Sequence, residues 1–218
     1  ASMCTAVHAN MPPAALHTPN NTVYPRIDHH LGERLSPNEA IKAEEIADII
    51  AASIRKQYSS GLALRDAHPK AHGCVRAEFK INETLPKNLA QGVFVPGQTY
   101  HAWIRFSNGS RDATQADIKS DARGMAIKLL GVPGKKLLAD EASTQDFIMI
   151  NHPVFFVNDP DRYISFMQDI NGGGVLKKLH IPFALGIEGT WIAFNSRSKI
   201  SNLLQTRYWS MVPYQLEI

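Results

Sequence analysis

Cysteine is almost missing from this chain of 218 residues. Cys4 and Cys74 are its two cysteines, enough for one disulfide at most and too few for a site built from cysteine alone, such as a four-cysteine zinc site. Long hydrophobic runs are missing too. No uncharged apolar stretch approaches the roughly 18 residues that a spanning helix needs, so no membrane span is expected. Residues 1–11 lack the basic start and apolar middle of a signal peptide; either no signal exists or it has been removed. Neither sign of charge dominates: 23 basic and 20 acidic residues leave a formal net charge of +3. That surplus is too small for a dedicated polyanion binder, and nucleic acid is not an expected partner. No segment repeats at a fixed period, which argues against a solenoid or propeller. The expectation is a soluble protein, its compartment open between cytoplasm and periplasm or exterior.

What is present suits a packed domain. Hydrophobic residues make up 44% and charged residues 20%, which excludes disordered, collagen-like and coiled-coil chains. At this length about 70% of the unfolded chain's surface can be buried, so a real core is possible. Residues 1–35 are dense in Pro, Asn and His and show no periodicity; they read as an extended arm, mobile or wrapped around a neighbouring subunit. Residues 36–61 read as an amphipathic helix, with Ser36 as N-cap, Pro37 at the first position, Glu39 three after the cap and an apolar stripe of Ile46, Ile49, Ile50 and Ile54. The period then changes to two. In residues 74–81, Val75, Ala77, Phe79 and Ile81 alternate with Arg76, Glu78 and Lys80, the pattern of a half-buried antiparallel strand. Residues 99–106, 125–130, 147–150, 154–157 and 206–216 are further strand candidates between Gly, Pro and Asp turns. Asp159 caps a second helix, 160–170, that the Gly172-Gly173-Gly174 run ends. Short strands with segregated helices indicate an α+β fold around an antiparallel sheet or barrel, with residues 62–218 as its domain.

Three polar clusters could carry chemistry. The first is Arg65-Asp66-Ala67-His68-Pro69-Lys70-Ala71-His72-Gly73, just before the first strand. His68 and His72 have the i, i+4 spacing of a helical zinc pair, but Pro69 and Gly73 disfavour a helix and no Glu supplies the general base. Either histidine is equally readable as a backbone-bonded structural residue. The second cluster, Arg105-Phe106-Ser107-Asn108-Gly109, closes a strand with an Arg and a Ser that suit a carboxylate and the orienting of a histidine. The third, residues 150–160, puts an amide and the Phe155-Phe156 pair before a capped helix; read alone, those rings are core.

In order, the clusters resemble the catalase superfamily, specifically its smaller catalase-like heme proteins. The family runs R-x-x-H-x-K-x-x-G, R-F-S, D-x-R-G-x-A-x-K and N-N-x-P-x-F-F-x-x-D-P. Here stand Arg65-x-x-His68-x-Lys70-x-x-Gly73, Arg105-Phe106-Ser107, Asp121-x-Arg123-Gly124-x-Ala126-x-Lys128 and Asn151-x-Pro153-x-Phe155-Phe156-x-x-Asp159-Pro160. The resemblance implies a catalase-type antiparallel β-barrel with surrounding helices, incomplete in this chain, and heme b as cofactor. It implies His68 as the distal histidine that moves a proton between the peroxide oxygens, Ser107 as its orienting partner and Asn151 as the amide of the peroxide pocket. Arg65 and Arg105 match arginines that hold the heme propionates, and Ala67 and Gly124 match small residues against the ring. Tyr163 matches an aromatic stacked on a pyrrole, and Phe155 is grouped with it as cofactor-binding. An ungapped match puts Ile150 where the family has its pocket asparagine and Asn151 one place later, a change of face in a strand. The family's axial tyrosine is expected beyond Ile218, so no metal ligand is assigned within the chain, and unpaired sheet edges would favour a homo-oligomer. The implied function is decomposition of hydrogen peroxide or an organic hydroperoxide by a catalase or peroxidase. The alternatives are a fatty-acid hydroperoxide rearranging enzyme, and a non-catalytic heme-binding or structural module.

Overall fold

The structure, a computed structural model, describes residues 38–134 and 143–214. The arm expected at 1–35, and Ser36 and Pro37, lie outside them. The described residues form an α+β fold of five antiparallel strands and three α-helices, organised in two compact units. Among them no helix is long and apolar enough to cross a membrane.

The first unit contains Ala67–Phe155 and the segment from Ile192 onward. Its strands are β1 (Ala71–Lys80), β2 (Thr99–Asn108), β3 (Arg123–Leu130), β4 (Thr144–Ile150) and β5 (Trp209–Ser210). They pair in the order β1-β2-β3-β4-β5, each antiparallel to the next. Among the described residues β1 and β5 do not pair, so the sheet is open and not closed into a barrel. The alternation read from residues 74–81 has its physical counterpart here from Ala77 onward, while Val75 is exposed. Ala77 and Phe79 join Ile81, Tyr100, Ala102, Leu129 and Val132 in the core, where Phe79 and Phe147 stack at 6.1 Å. The opposite face carries ion pairs such as Lys128–Asp146 at 2.8 Å.

Two expected strands come out differently. Residues 154–157 form bends instead of a strand, because Pro153 has no N–H to donate and the Val154 N–H bonds to His152 Nδ1 (3.3 Å) in place of a ladder partner. Of residues 206–216, Trp209 and Ser210 alone form a strand among the described positions.

The second unit runs to Asp66 and resumes over Phe156–Trp191. Helix α1 (Glu39–Gln57) follows Asn38, which takes left-handed backbone at the cap. Its Ile46, Ile49, Ile50 and Ile54 are half-buried. Helix α2 (Pro160–Gly172) is built as read: Asp159 accepts from the Arg162 N–H at 2.9 Å, and Ile164 and Met167 are buried. The two helices meet through Lys42–Asp161 at 2.7 Å. No element is expected for residues 174–195, where the structure has α3 (Gly174–Asn195). Within the glycine run that ends α2 a new helix starts after a single residue, Gly173. At Gly186 (φ 71°) α3 is broken, and the Arg162 guanidinium fills the space a Cβ would need while bonding the Leu185 carbonyl at 3.1 Å. Where α2 gives way to α3, the buried Asp169 carboxylate takes His180 Nδ1 at 2.6 Å and faces Lys177 Nζ at 3.5 Å. The hydrogen bond from His180 holds the Asp169 carboxyl below the ordinary range, against the opposing effect of burial.

Candidate functional site

The loop entering β1 places His68 in left-handed backbone, φ 54°. This is an uncommon state for a residue with a side chain; it costs about 1–3 kcal/mol and persists only where its surroundings enforce it. Two strands do so. From β2, Arg105 donates through Nη2 to the His68 carbonyl at 2.7 Å, and Ser107 Oγ lies 2.9 Å from His68 Nδ1. From β3, Gly124 removes the obstacle: a Cβ there would lie 2.8 Å from both His68 Nδ1 and Ser107 Oγ, and 2.9 Å from His68 Cε1. Ser107 and Gly124 are direct cross-strand partners. Ser107 is buried, Gly124 is buried, and His68 and Arg105 are half-buried. Three sequence-selected residues, His68, Ser107 and Gly124, therefore meet around one hydrogen bond, with Arg105 behind them. Ala67, next to His68, is exposed, and Phe155 is half-buried. Arg65 and Tyr163 belong to the second unit, where Arg65 is exposed and the Tyr163 ring lies 6.3 Å from Phe166.

His72 has a different neighbourhood. The β1–β2 register slips between Ala71 and Gly73, and a bulge of this kind re-aims a side chain. His72 Nε2 donates to Asn108 Oδ1, and its Nδ1 faces Asp117 Oδ2 at 3.5 Å. Asn108 follows Ser107 in β2, and successive residues of a strand point to opposite faces. The two histidines thus serve opposite faces of one strand, which rules out a shared zinc site. Lys70 completes the second cluster, bonding Asp117 Oδ1 at 2.6 Å and the Gln115 carbonyl at 2.7 Å. The hydrogen bond from Lys70 comes first among the causes that hold the Asp117 carboxyl below its ordinary range. Nothing in the sequence signals this arrangement except the polarity of 65–73.

The choice between Ile150 and Asn151 also turns on faces. Asn151 Oδ1 accepts from the Arg123 N–H at 2.7 Å, while Nδ2 donates to the Ser196 carbonyl at 2.9 Å and to Ser198 Oγ at 3.3 Å. The amide thus ties β4 to the backbone of Arg123 and Ser196 and to the Ser198 hydroxyl. Ile150, buried, pairs directly with Gly124. Arg123, with no exposed surface, donates through Nη2 to the carbonyls of Asp117 and Lys119 at 2.7 and 2.9 Å.

Tyr208 lies elsewhere. Its ring meets Phe106 at 6.2 Å and its hydroxyl donates to the Leu203 carbonyl at 3.3 Å. Burial pushes its ionisation above the ordinary tyrosine range.

A forked cation, a hydroxyl-anchored imidazole and a glycine that clears space for both are the means of binding a carboxylate and moving a proton. Catalases, heme proteins that act on peroxide, are the family whose model matches residues 53–171, a stretch containing all of these groups. With more than half of its length matched, and with that match spanning β1 to β4 and the loop that carries His68, the chain belongs to the catalase family.

Proposed function

We propose that this chain forms the distal side of a heme-dependent, peroxide-decomposing site in which His68 carries the proton. The observation that supports this best is the 2.9 Å contact between His68 Nδ1 and Ser107 Oγ. With Nδ1–H donating to Ser107, the lone pair stands on Nε2, which accepts a proton from one peroxide oxygen and returns it to the other. Imidazole suits both halves at ordinary pH because its unperturbed pKa is about 6.5. The left-handed backbone, its pin to Arg105 and the clearance at Gly124 hold the ring in one orientation, so little reorganisation accompanies each transfer. The net reaction of a catalase, 2 H2O2 → 2 H2O + O2, balances without an outside reductant; a peroxidase takes two electrons from an organic donor.

The donor set fits the distal side of heme b. Arg105 is a half-buried forked donor suited to a propionate, with Arg65 proposed for the same task and Ala67, Phe155 and Tyr163 for contact with the ring on family grounds. Heme b, when bound, supplies the redox chemistry of O–O cleavage. The axial tyrosine is not assigned to Tyr208, whose hydroxyl is already committed. The antiparallel sheet is read as one wall of a catalase-type barrel within residues 62–218. Its unpaired edge at β1 and the exposed apolar side chains Val175, Leu179, Phe183, Ile187 and Trp191, four apart along α3, support self-association.

Protein purified with excess heme should show a Soret band. His68→Ala should keep that band yet lose peroxide turnover by about 10²-fold or more, while His72→Ala, acting on the other face, should cost little. No Soret band, or a larger loss at His72, would overturn the assignment.

A further inference from the structure

We infer that the outer edge of β1 receives a second copy of this chain, the two β1 strands pairing antiparallel about Ala77 so that the sheets become continuous. The inference rests on the self-association proposed above, to which it gives a place, and not on the heme reading. Among the described residues β1 has β2 on one side and no strand on the other. Its register against β2 runs unbroken from Gly73 to Lys80, so its outer edge offers a regular row of backbone donors and acceptors, a template for another strand. Assemblies of identical chains are most often two-fold, and a two-fold axis normal to a sheet runs two copies of an edge strand antiparallel.

The side chains choose the register. With Ala77 opposite its own copy, Arg76 stands opposite the partner's Glu78 and Val75 opposite the partner's Phe79, and symmetry makes each pair twice. Opposite charges directly across a strand pair attract and like charges repel. Slipping the register by two residues sets Arg76 against the partner's Arg76 in one direction and Glu78 against the partner's Glu78 in the other. A slip of one residue sets the apolar row of one copy on the polar face of the other. Arg76 and Glu78 are exposed, and their contacts are local: the Arg76 guanidinium lies over the Trp103 ring at 5.1 Å, and Glu78 Oε2 meets Lys80 Nζ at 3.1 Å. A guanidinium stacked on a ring keeps the N–H groups of its rim for a carboxylate. The other face has its own reason to pair. Val75 is 46% exposed although Ala77 and Phe79, in the same row, pack on the core. The partner's Phe79 covers it, an aromatic on a β-branched side chain being a favourable cross-strand pair.

The test is sedimentation equilibrium of the full chain over a range of concentrations, in wild type, Arg76→Glu, Glu78→Arg and the double variant that carries both changes. Wild type should show a monomer–dimer equilibrium. Each single reversal turns two attractive pairs into two repulsive ones and should weaken the dimer by about tenfold or more. The double variant restores opposite charges in the same register and should recover most of the lost affinity, a rescue that general surface damage does not produce. Circular dichroism melting checks that each variant folds. Should a reversal fail to fold, Val75→Thr, which keeps the branched shape at an exposed position, carries the measurement with a weakening of about threefold. A dimer indifferent to residues 75, 76 and 78, closing through another surface such as α3, would overturn the inference and leave self-association standing. A chain that stays monomeric at every concentration would overturn both.

Discussion

Replacing Gly124 by Ala adds a single methyl group, and the structure sets its consequence. The new Cβ would stand 2.8 Å from His68 Nδ1, 2.8 Å from Ser107 Oγ and 2.9 Å from His68 Cε1. Relaxed contacts to carbon begin near 3.5 Å, so each atom must retreat by about 0.6–0.7 Å. None is the loose end of a flexible side chain. Ser107 is 3% exposed and fixed in β2, and His68 is tied through its ring to Ser107 and through its carbonyl to Arg105. Ala at an unstrained position in place of Gly would by itself stabilise by about 0.4–1 kcal/mol through the unfolded chain. Overpacking opposes this with about 1–3 kcal/mol, and loss of the buried hydrogen bond adds to the opposing side. The net expectation is destabilisation of about 1–2 kcal/mol, or roughly 2–8 °C in Tm for a chain of this size. A ring displaced by a large fraction of an ångström should also lower peroxide turnover, toward 10²-fold for a full ångström. Urea denaturation with and without heme, together with turnover, measures both. Adding Ser107→Ala removes one of the crowded atoms, so the two changes should be non-additive. A Gly124→Ala protein more stable than wild type, with full turnover, would refute the placement of His68 over β3.

Two other outcomes are expected. Arg105→Lys should destabilise the heme-free protein by about 1.5–3 kcal/mol, because the guanidinium that holds the left-handed turn at His68 is lost; unchanged heme-free stability would mean that the arginine serves the cofactor alone. Asp169→Asn tests the pH dependence in the second unit. The Asp169 carboxyl is held below its ordinary range by His180, so its stabilising effect is complete above the unfolded value of about 3.9 and is lost as pH falls through the lower folded value. Denaturation of wild type and variant should diverge near neutrality and converge in acid, and a difference that grows as pH falls would refute the pairing.

The residues of the site were legible in order and illegible in register. His68 and Ser107 carry the family pattern, and local sequence gives no reason to prefer His68 to His72. The distinction becomes physical when Ser107 and Asn108, neighbours in β2, turn to opposite faces and each takes one histidine. Gly124 reads as a small residue against a cofactor, yet its missing side chain leaves room for the His68 ring, a relation between β3 and the loop before β1 that no single strand encodes. The same holds for Ile150 and Asn151: alternation says that they differ in face, and pairing with Gly124 says which face is which. Helix α2 was readable because Asp159, Pro160 and the terminal glycines are local signals. Helix α3 was not, since glycines that stop one helix look the same whether or not another begins, and Gly186 interrupts its periodicity.

The bracing at Asn151 bears on how the first unit comes apart. Strands β1 to β4 are joined by long ladders, whereas β5 contributes two residue pairs, Met149 with Ser210 and Ile150 with Trp209. What else fastens this late segment to β4 includes the Asn151 amide, whose bonds to Ser196 and Ser198 span 45 and 47 residues of chain. Closing an interval of that length as a flexible loop costs roughly 3 kcal/mol before any constant is added, about what three net hydrogen bonds return. The Asp121–Ser198 bridge and the Phe106–Tyr208 ring contact add to the fastening, yet this segment should still open locally before β2 and β3, and its amides should exchange faster than theirs. Because Trp209 belongs to that segment, the two residue pairs by which β5 joins β4 should come and go on a clock separate from that of the ladders between β1 and β4.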